Sequence, residues 1–140
     1  MAATHFSGPV VLGAGSVEVI DAAKTLTHND SGKVFFLDAA AGAVVTLPTV
    51  KAGQRFKFIV TSAFATSNWV IDSNEGDNIN GFVIVNDAAI VASGEDQINF
   101  VASAETIGDY VELIADVANS QWIVHGHGEA VGAITVTDPS

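Results

Sequence analysis

The chain contains no cysteine and few cations. Without cysteine it has no disulfide framework, no thiolate ligand for zinc and no thiol nucleophile. Its 140 residues include five lysines and arginines against sixteen acidic residues, so the formal net charge is −11. Nucleic acids and anionic membranes are bound mainly through lysine and arginine. Neither is therefore an expected partner.

The sequence also has no long apolar run of the kind that spans a membrane, and residues 1–16 do not have the pattern of a secretory leader. No stretch approaches the roughly 20 consecutive apolar residues that a spanning helix needs. Residues 1–16 are polar and then small, whereas a signal peptide begins with basic residues and continues with apolar ones. We expect residues 1–16 to form an extended N-terminal arm that becomes ordered against another chain.

Apolar residues, in contrast, are abundant. They make up 49% of the sequence, and charged residues make up only 15%. A domain of 14.4 kDa has too little interior for this many apolar side chains unless another surface covers some of them. Large exposed apolar patches usually mark interaction sites, and closed homo-oligomers are the commonest soluble assemblies. The composition therefore predicts an oligomer.

Short apolar runs separated by turn residues predict an all-β fold. The runs lie at 34–37, 43–47, 55–60, 69–71, 82–85, 98–101, 110–114, 122–124 and 133–136. Turn chemistry is present at 30–32, 51–53, 80–81, 93–94 and 119–120, where glycine and asparagine tolerate positive φ. This spacing favours a single domain over residues 17–136, either a β-barrel or a jelly-roll-like sandwich. Residues 137–140 are expected to be a loose tail. A helix over 101–118 is the alternative for that window, but Gly108 and Asp109 interrupt its spacing and favour a strand.

Two clusters contain residues that bind metals in other proteins. His125 and His127 lie two positions apart, with Glu129 at the next same-side position, which is a spacing that zinc can use. The glycines beside them favour a flexible loop with exposed or interface histidines. The run 72–78 is rich in oxygen ligands for calcium. An EF-hand loop starting at Asp72 would need glycine at position 77 and glutamate at 83, so a polar loop between strands is favoured.

Signals for catalysis are weak. The chain has no Gly-x-Ser-x-Gly elbow, and the glycines of 13–16 lack the third glycine, the strand and the helix of a phosphate-binding loop. The carboxylate pairs Glu95/Asp96 and Glu112/Asp116 are expected by chance among sixteen acids. We expect a protein that is not an enzyme and has no cofactor, no resident metal and no small-molecule substrate.

The aromatic and basic residues suggest two kinds of contact. Trp69 and Trp122, with Tyr110, are candidates for a sugar-binding platform, but each tryptophan lies inside an apolar run and is better explained as core. Lys51, Arg55 and Lys57 fall within seven residues, and such a cluster can dock on an acidic surface. The alternative for this cluster is a strand whose charge is neutralised locally.

Several segments resemble the head decoration, or cement, proteins of tailed bacteriophages. The resemblance is carried by 31–48, with its Thr46-Leu47-Pro48, by 52–60, with its glycine and paired aromatics, and by the opening Thr4–Pro9. Residues 108–113 and 121–124 fit the closing hairpin of that family. Thr-Leu-Pro followed by glycine also occurs in tail-fibre modules, which makes a receptor- or glycan-binding β module the alternative.

The resemblance implies a homotrimer of β-barrel or jelly-roll-like subunits that binds the outer surface of an expanded capsid. Such a protein is made in the host cytoplasm, becomes part of the virion, and stabilises the capsid by bridging neighbouring copies of the major capsid protein. The N-terminal arm of the family commonly reaches the capsid or a neighbouring subunit. The expected partner-binding residues here are Thr4, His5, Phe6, Pro9, Val10, Lys51, Arg55 and Lys57.

Overall fold

The computed structural model describes residues 16–139, and strands dominate this range. In chain order they are β1 Val17–Ile20, β2 Lys24–Thr25, β3 Val34–Leu37, β4 Val44–Thr46, β5 Arg55–Val60, β6 Trp69–Asp72, β7 Ile79–Val85, β8 Ala88–Glu95, β9 Gln97–Phe100, β10 Tyr110–Asp116, β11 Gln121–Gly128 and β12 Ile134–Thr137. Two single-turn 3-10 segments, His28–Asp30 and Val117–Asn119, complete the described regular structure. The prediction of an all-β fold is confirmed, and residues 110–116 form a strand rather than a helix. No helix within 16–139 is long and apolar enough to cross a membrane.

The strands form two mixed sheets that pack together as a sandwich. The large sheet has seven strands in the order β1-β3-β5-β10-β11-β7-β8, and the small sheet has five in the order β12-β9-β6-β4-β2. The first six strands alternate between the sheets, so β1, β3 and β5 are parallel neighbours in one, and β2, β4 and β6 in the other. Parallel neighbours need a crossover connection, and here each crossover passes through the opposite sheet. The antiparallel strands β10 and β9 then extend the two sheets beyond β5 and β6.

Aromatic side chains fill the space between the sheets. Strand residues alternate between the two faces of a sheet, and the inward positions of β3, β5 and β11 carry large rings. Phe35 stacks on Phe58 with ring centroids 5.4 Å apart, and Phe56 lies 5.8 Å from Trp122. All four side chains are buried. Together with Phe100 and other buried residues of the small sheet, these rings form one continuous apolar core between the two sheets.

The turns predicted at 30–32, 51–53 and 119–120 are confirmed, but those at 80–81 and 93–94 are wrong. Asn80 and Gly81 lie inside β7, and Ser93 and Gly94 lie inside β8. The turn between these strands is at Asn86 and Asp87, both of which have positive φ. Tertiary pairing overrides the local turn signal here, because β7 is held between β11 and β8.

Gly81 and Gly94 allow local features of the large sheet, a close approach between strands and a β-bulge, rather than a turn. Gly94 has φ +74° at a register irregularity between β7 and β8, and its N–H donates to Asn80 Oδ1 at 2.9 Å. An extra residue at such a bulge commonly needs glycine. Gly81 has φ +124°, and a Cβ there would lie 2.4 Å from the carbonyl oxygen of Val124. Its glycine allows β7 to approach β11 closely.

The boundaries at the two ends of the domain differ slightly from those expected. Thr137, predicted to begin a loose tail, is the last residue of β12 and pairs with Gln97 of β9. Its carbonyl oxygen also accepts the N–H of Asp96 at 3.1 Å. At the other end, the carbonyl oxygen of Ser16 accepts the N–H of Val34 at 2.6 Å. The rest of the predicted N-terminal arm lies outside the described residues.

Substituting Gly81 by alanine is expected to destabilise the fold far more than substituting Gly53. Both glycines have positive φ, but Gly53 has open space around its missing Cβ, whereas Gly81 faces the Val124 carbonyl. The backbone conformation alone costs roughly 1–2 kcal/mol for an L-residue, and the clash raises the cost for Gly81→Ala to more than about 3 kcal/mol. Urea denaturation of both variants measures the difference. Equal losses would show that β7 and β11 separate without penalty.

Candidate docking surface

The outward side of the large sheet presents one broad surface, here called the outer face. It consists of every second residue of the strands, and the registers align these residues in rows. One row is Val19, Phe36, Ile59, Tyr110, His127, Ile84 and Ala89. The next is Val17, Val34, Lys57, Glu112, His125, Phe82 and Val91. The third contains Arg55, Ile114, Ile123, Asn80 and Ser93.

Most side chains of the outer face are apolar, and several are largely exposed. Val19 is 59% exposed, Phe82 48% and Val91 64%. A sheet with one face in water normally alternates apolar and polar residues, whereas strands covered on both faces are apolar at nearly every position. The run Val34–Leu37 has the second pattern, with Phe35 and Leu37 facing the core and the other two residues facing outward. The β3 part of the outer face thus has the composition of a covered surface, whereas β5 and β10 alternate apolar and charged residues.

Charged groups lie at the centre of the outer face. Arg55 Nη2 donates to Glu112 Oε2 at 3.1 Å, from β5 to β10. The Lys57 ammonium lies 4.6 Å from the centroid of the Tyr110 ring, close enough for a cation–π contact. A cleft of about 290 Å³ is lined by Lys33, Arg55, Lys57 and Glu112. Such a cleft suits a carboxylate from a partner.

The predicted cluster Lys51, Arg55 and Lys57 does not form one patch. Arg55 and Lys57 lie on the outer face, where strand alternation places them side by side. Lys51 lies in the turn before β5, where its backbone N–H donates to Gln54 Oε1 at 2.7 Å, and it lines a different groove together with His28 and Pro48. The interpretation as a locally neutralised strand fits Arg55, which has an acidic partner.

Charge is divided unevenly along the chain. All five cations lie at or before Lys57, and of the sixteen acids only Glu18, Asp21, Asp30 and Asp38 precede that residue. The remaining twelve acids follow it without a single lysine or arginine. On the outer face, this division places Arg55 and Lys57 on β5 and the acids Glu112 and Asp116 on β10. The cations of the outer face therefore lie on β5, and its acids lie on the neighbouring strand β10.

An ion-pair cluster fastens the β1 edge of the large sheet. Glu18 contacts Lys24 at 2.5 Å and Lys33 at 3.0 Å, and Lys33 also contacts Asp30 at 3.0 Å. Hydrogen bonds from Lys24 and Lys33 hold the pKa of Glu18 below its ordinary value of 4.5. Partial burial opposes ionisation of Asp30, but the Thr27 N–H and Lys33 outweigh it, so the pKa of this carboxyl is also lowered.

The histidine pair lies in a strand and not in the flexible loop that its glycines suggested. His125 and His127 both belong to β11, and a Cβ at Gly126 between them would lie 2.3 Å from the Tyr110 carbonyl oxygen. The His125 and Phe82 rings form a T-shaped pair with centroids 5.8 Å apart, and His127 Nε2 lies 3.3 Å from Glu129 Oε2. Within residues 16–139 these side chains do not assemble three metal ligands. The interpretation as exposed or interface histidines agrees with their place on the outer face.

The acidic loop at 72–78 is a polar loop held by protein donors. Asp72 Oδ1 accepts the Asn74 N–H at 2.8 Å, and Glu75 Oε2 accepts from Asn78 Nδ2 at 2.9 Å. Asp77 alone of this loop joins two other carboxylates, those of Asp96 and Asp138, with ligand atoms within 4.8 Å of one another. These three are the described residues best placed to hold a hard cation such as calcium.

The two tryptophans are core residues. Trp69 and Trp122 are completely buried, on β6 and β11 respectively. Tyr110 lies on the outer face beneath Lys57. Neither indole is available to stack on a sugar, so the interpretation of both tryptophans as core residues is confirmed.

Sequence reasoning missed the individual residues of the outer face. None of the four exposed residues Val17, Val19, Phe82 and Val91 was predicted to be a contact residue. The strand register that aligns them on one face cannot be deduced from local sequence. A signal was nevertheless present, since apolar residues occupy both alternating positions of 34–37 and 82–85. Of the predicted contact residues, Thr4, His5, Phe6, Pro9 and Val10 lie outside the described part of the chain.

Comparisons with known proteins identify no relative of this chain. No protein-family model matches the chain, and neither a curated protein nor a solved structure is significantly similar to it.

The ion cluster at β1 predicts a specific loss of stability in acid. Because the pKa of Glu18 is lowered by folding, its contribution to the free energy of unfolding is present above about pH 4.5 and is lost as the pH falls. Glu18→Gln is expected to be less stable than the natural chain at neutral pH, and the difference is expected to shrink as the pH falls below 4.5 towards pH 3.

Urea denaturation at both pH values tests this expectation. Glu95→Gln is the matched control, because Glu95 makes no ion pair within residues 16–139. A stability difference between Glu18→Gln and the natural chain that persists unchanged in acid would contradict the role of the ion pairs.

Proposed function

We propose that this chain is a structural protein of a tailed-bacteriophage virion, which binds the outer surface of the expanded capsid and bridges neighbouring capsid subunits. The observation that carries the proposal is the set of exposed apolar side chains on the outer face, Val17, Val19, Phe82 and Val91 among them, since exposed apolar patches mark interaction sites. The resemblance in 31–48 and 52–60 supports placing that function on a phage head. The protein acts by binding and catalyses no reaction.

The proposed contacts divide between two regions. The arm, with Thr4, His5, Phe6, Pro9 and Val10, and the exposed cation Lys51 contact the major capsid protein. Arg55 and Lys57 belong to the outer face and contact protein subunits of the assembled particle there. An arm that becomes ordered on binding loses conformational entropy but spans a large surface. Many copies that bind only the assembled shell stabilise it by mass action.

The alternative, a glycan- or receptor-binding module of a tail fibre, has lost its main support. That function predicted an exposed aromatic platform built on Trp69 or Trp122, and both indoles are fully buried. No other described feature favours it.

Purified chain is expected to cosediment with expanded phage capsids and to raise their heat stability. Antibody labelling of intact virions, viewed by electron microscopy, is expected to cover the head. Label confined to the tail, or capsids that neither bind the chain nor gain heat stability, would overturn the proposal.

Deleting residues 1–15 tests the arm separately. The deletion retains Ser16, whose carbonyl oxygen bonds to Val34, so the sandwich is expected to fold as before. Binding to capsids is expected to fall at least tenfold, because the arm contributes contact area that the sandwich cannot replace. Lys51→Glu serves as a second probe in a described residue. Unchanged attachment of the deletion variant would contradict the contribution of the arm.

A further inference from the structure

We infer that a groove at one end of the sandwich, here called the end groove, binds an acidic side chain of a partner protein. Lys51 supplies the opposite charge, and the side-chain amide of Gln54 supplies a directed hydrogen bond. The site rests on the proposed function for its partner, so the aspartate or glutamate belongs to an exposed segment of the capsid protein.

The end groove lies where three parallel strands of the small sheet end. β2, β4 and β6 are neighbours that run in the same direction, so their carboxyl ends lie at the same end of the sandwich. Pairing continues just beyond the strands, because the Leu47 N–H donates to the Asp72 carbonyl oxygen at 2.9 Å. The segments that leave the three strands, together with the turn before β5, enclose about 460 Å³. This volume is typical of a binding pocket.

The lining of the end groove combines apolar surface with hydrogen-bond donors. Leu26, Leu47 and Pro48 supply apolar surface, and Lys51 and Gln54 supply nitrogen donors. Among residues 16–139 no acidic residue lines the groove, although the chain has sixteen acids. Binding pockets have this composition, in which apolar residues provide contact area and a few polar groups fix the orientation of the ligand.

Gln54 holds an unpartnered donor in a defined orientation. Its side chain is 1% exposed, and its Oε1 accepts the Lys51 N–H at 2.7 Å. This bond makes Oε1 the acceptor end of the amide and Nε2 the donor end. Nε2 is buried and has no acceptor within residues 16–139. Buried donors are rarely left without an acceptor, and an acceptor atom on a ligand would satisfy this one.

Lys51 has an exposed side chain with no partner of its own. Within residues 16–139 it makes neither an ion pair nor a contact with an aromatic ring. The other lysines and arginines are all engaged by carboxylates or by a ring, namely Lys24, Lys33, Arg55 and Lys57. An ionised carboxyl offers acceptors only, so it can receive hydrogen bonds from the Lys51 ammonium and from Gln54 together. Hydrogen bonds between charged groups are stronger than those between neutral groups.

The acids around the end groove are engaged by other groups. Glu75 Oε2 accepts from the Val50 N–H at 3.4 Å and from Asn78 Nδ2 at 2.9 Å, and Asp30 pairs with Lys33. A chain with a net charge of −11 repels acidic groups over most of its surface. The end groove therefore selects where an acidic segment makes contact, because contacts elsewhere are disfavoured.

NMR titration of the full chain with two blocked tripeptides tests the site. One probe has the sequence leucine–glutamate–leucine, and the other has glutamine in place of glutamate. The glutamate probe is expected to shift the side-chain NH₂ resonances of Gln54 and the backbone resonance of Lys51. It is expected to bind roughly tenfold more tightly than the glutamine probe, because only its carboxylate is charged. Equal affinities, or shifts confined to other surfaces, would overturn the site.

Variants of the two donors measure their separate contributions. Lys51→Met and Gln54→Met are each expected to weaken binding of the glutamate probe severalfold, and Lys51→Arg is expected to retain it. Val131→Glu is the matched control, since it changes the net charge as much as Lys51→Met does. Val131 is 75% exposed and lies outside the end groove.

Circular dichroism establishes that each variant is folded. Lys51→Met alters an exposed side chain and decides the outcome if Gln54→Met does not fold. Binding that survives Lys51→Met, or that Val131→Glu weakens equally, contradicts the site.

The peptide titration separates the end groove from the proposed function. A chain that binds the glutamate probe in the groove but does not bind capsids leaves the site standing and overturns the capsid function. A chain that binds capsids but discriminates neither between the probes nor between Lys51→Met and the natural residue does the reverse.

Discussion

The packing of aromatic rings between the two sheets is the interaction on which the rest of the structure depends. Phe35, Phe56, Phe58 and Trp122 are drawn from β3, β5 and β11, so one cluster ties the early parallel strands to the later ones. Once these rings face inward, the period of two along each strand sends Phe36, Lys57 and Ile123 outward. The composition of the outer face is thus a direct consequence of the core.

Strand existence could be predicted from the sequence, but strand pairing could not. Apolar runs such as 55–60 and 110–114 indicate strands locally, and both are strands. Parallel pairing of β3 with β5 joins Val34 to Lys57, and no local pattern encodes a partner 23 positions away. The same limit explains the wrong turn at Asn80 and Gly81. That dipeptide favours a hairpin turn, and only the position of Val124 reveals that glycine is needed for close approach.

The sequence predicts that the protein has a covered apolar surface, but it does not predict where on the fold that surface lies. An excess of apolar residues over the capacity of one core indicated that some surface must be covered. Locating that surface requires the register, which places Val17 and Val91 at opposite edges of one face. The cluster of cations shows the same limit, because four positions along the chain separate Lys51 from Arg55 whereas the fold puts the two on different surfaces.

The apolar outer face and the strong negative charge act in opposite directions on association between protein molecules. An apolar face of this size makes a free chain prone to indiscriminate association, whereas a high net charge keeps proteins soluble and apart. The charged centre of the outer face is neutralised within the chain where Arg55 pairs with Glu112. Net charge therefore opposes indiscriminate contact between copies, and the apolar rows are the surface that a partner could cover.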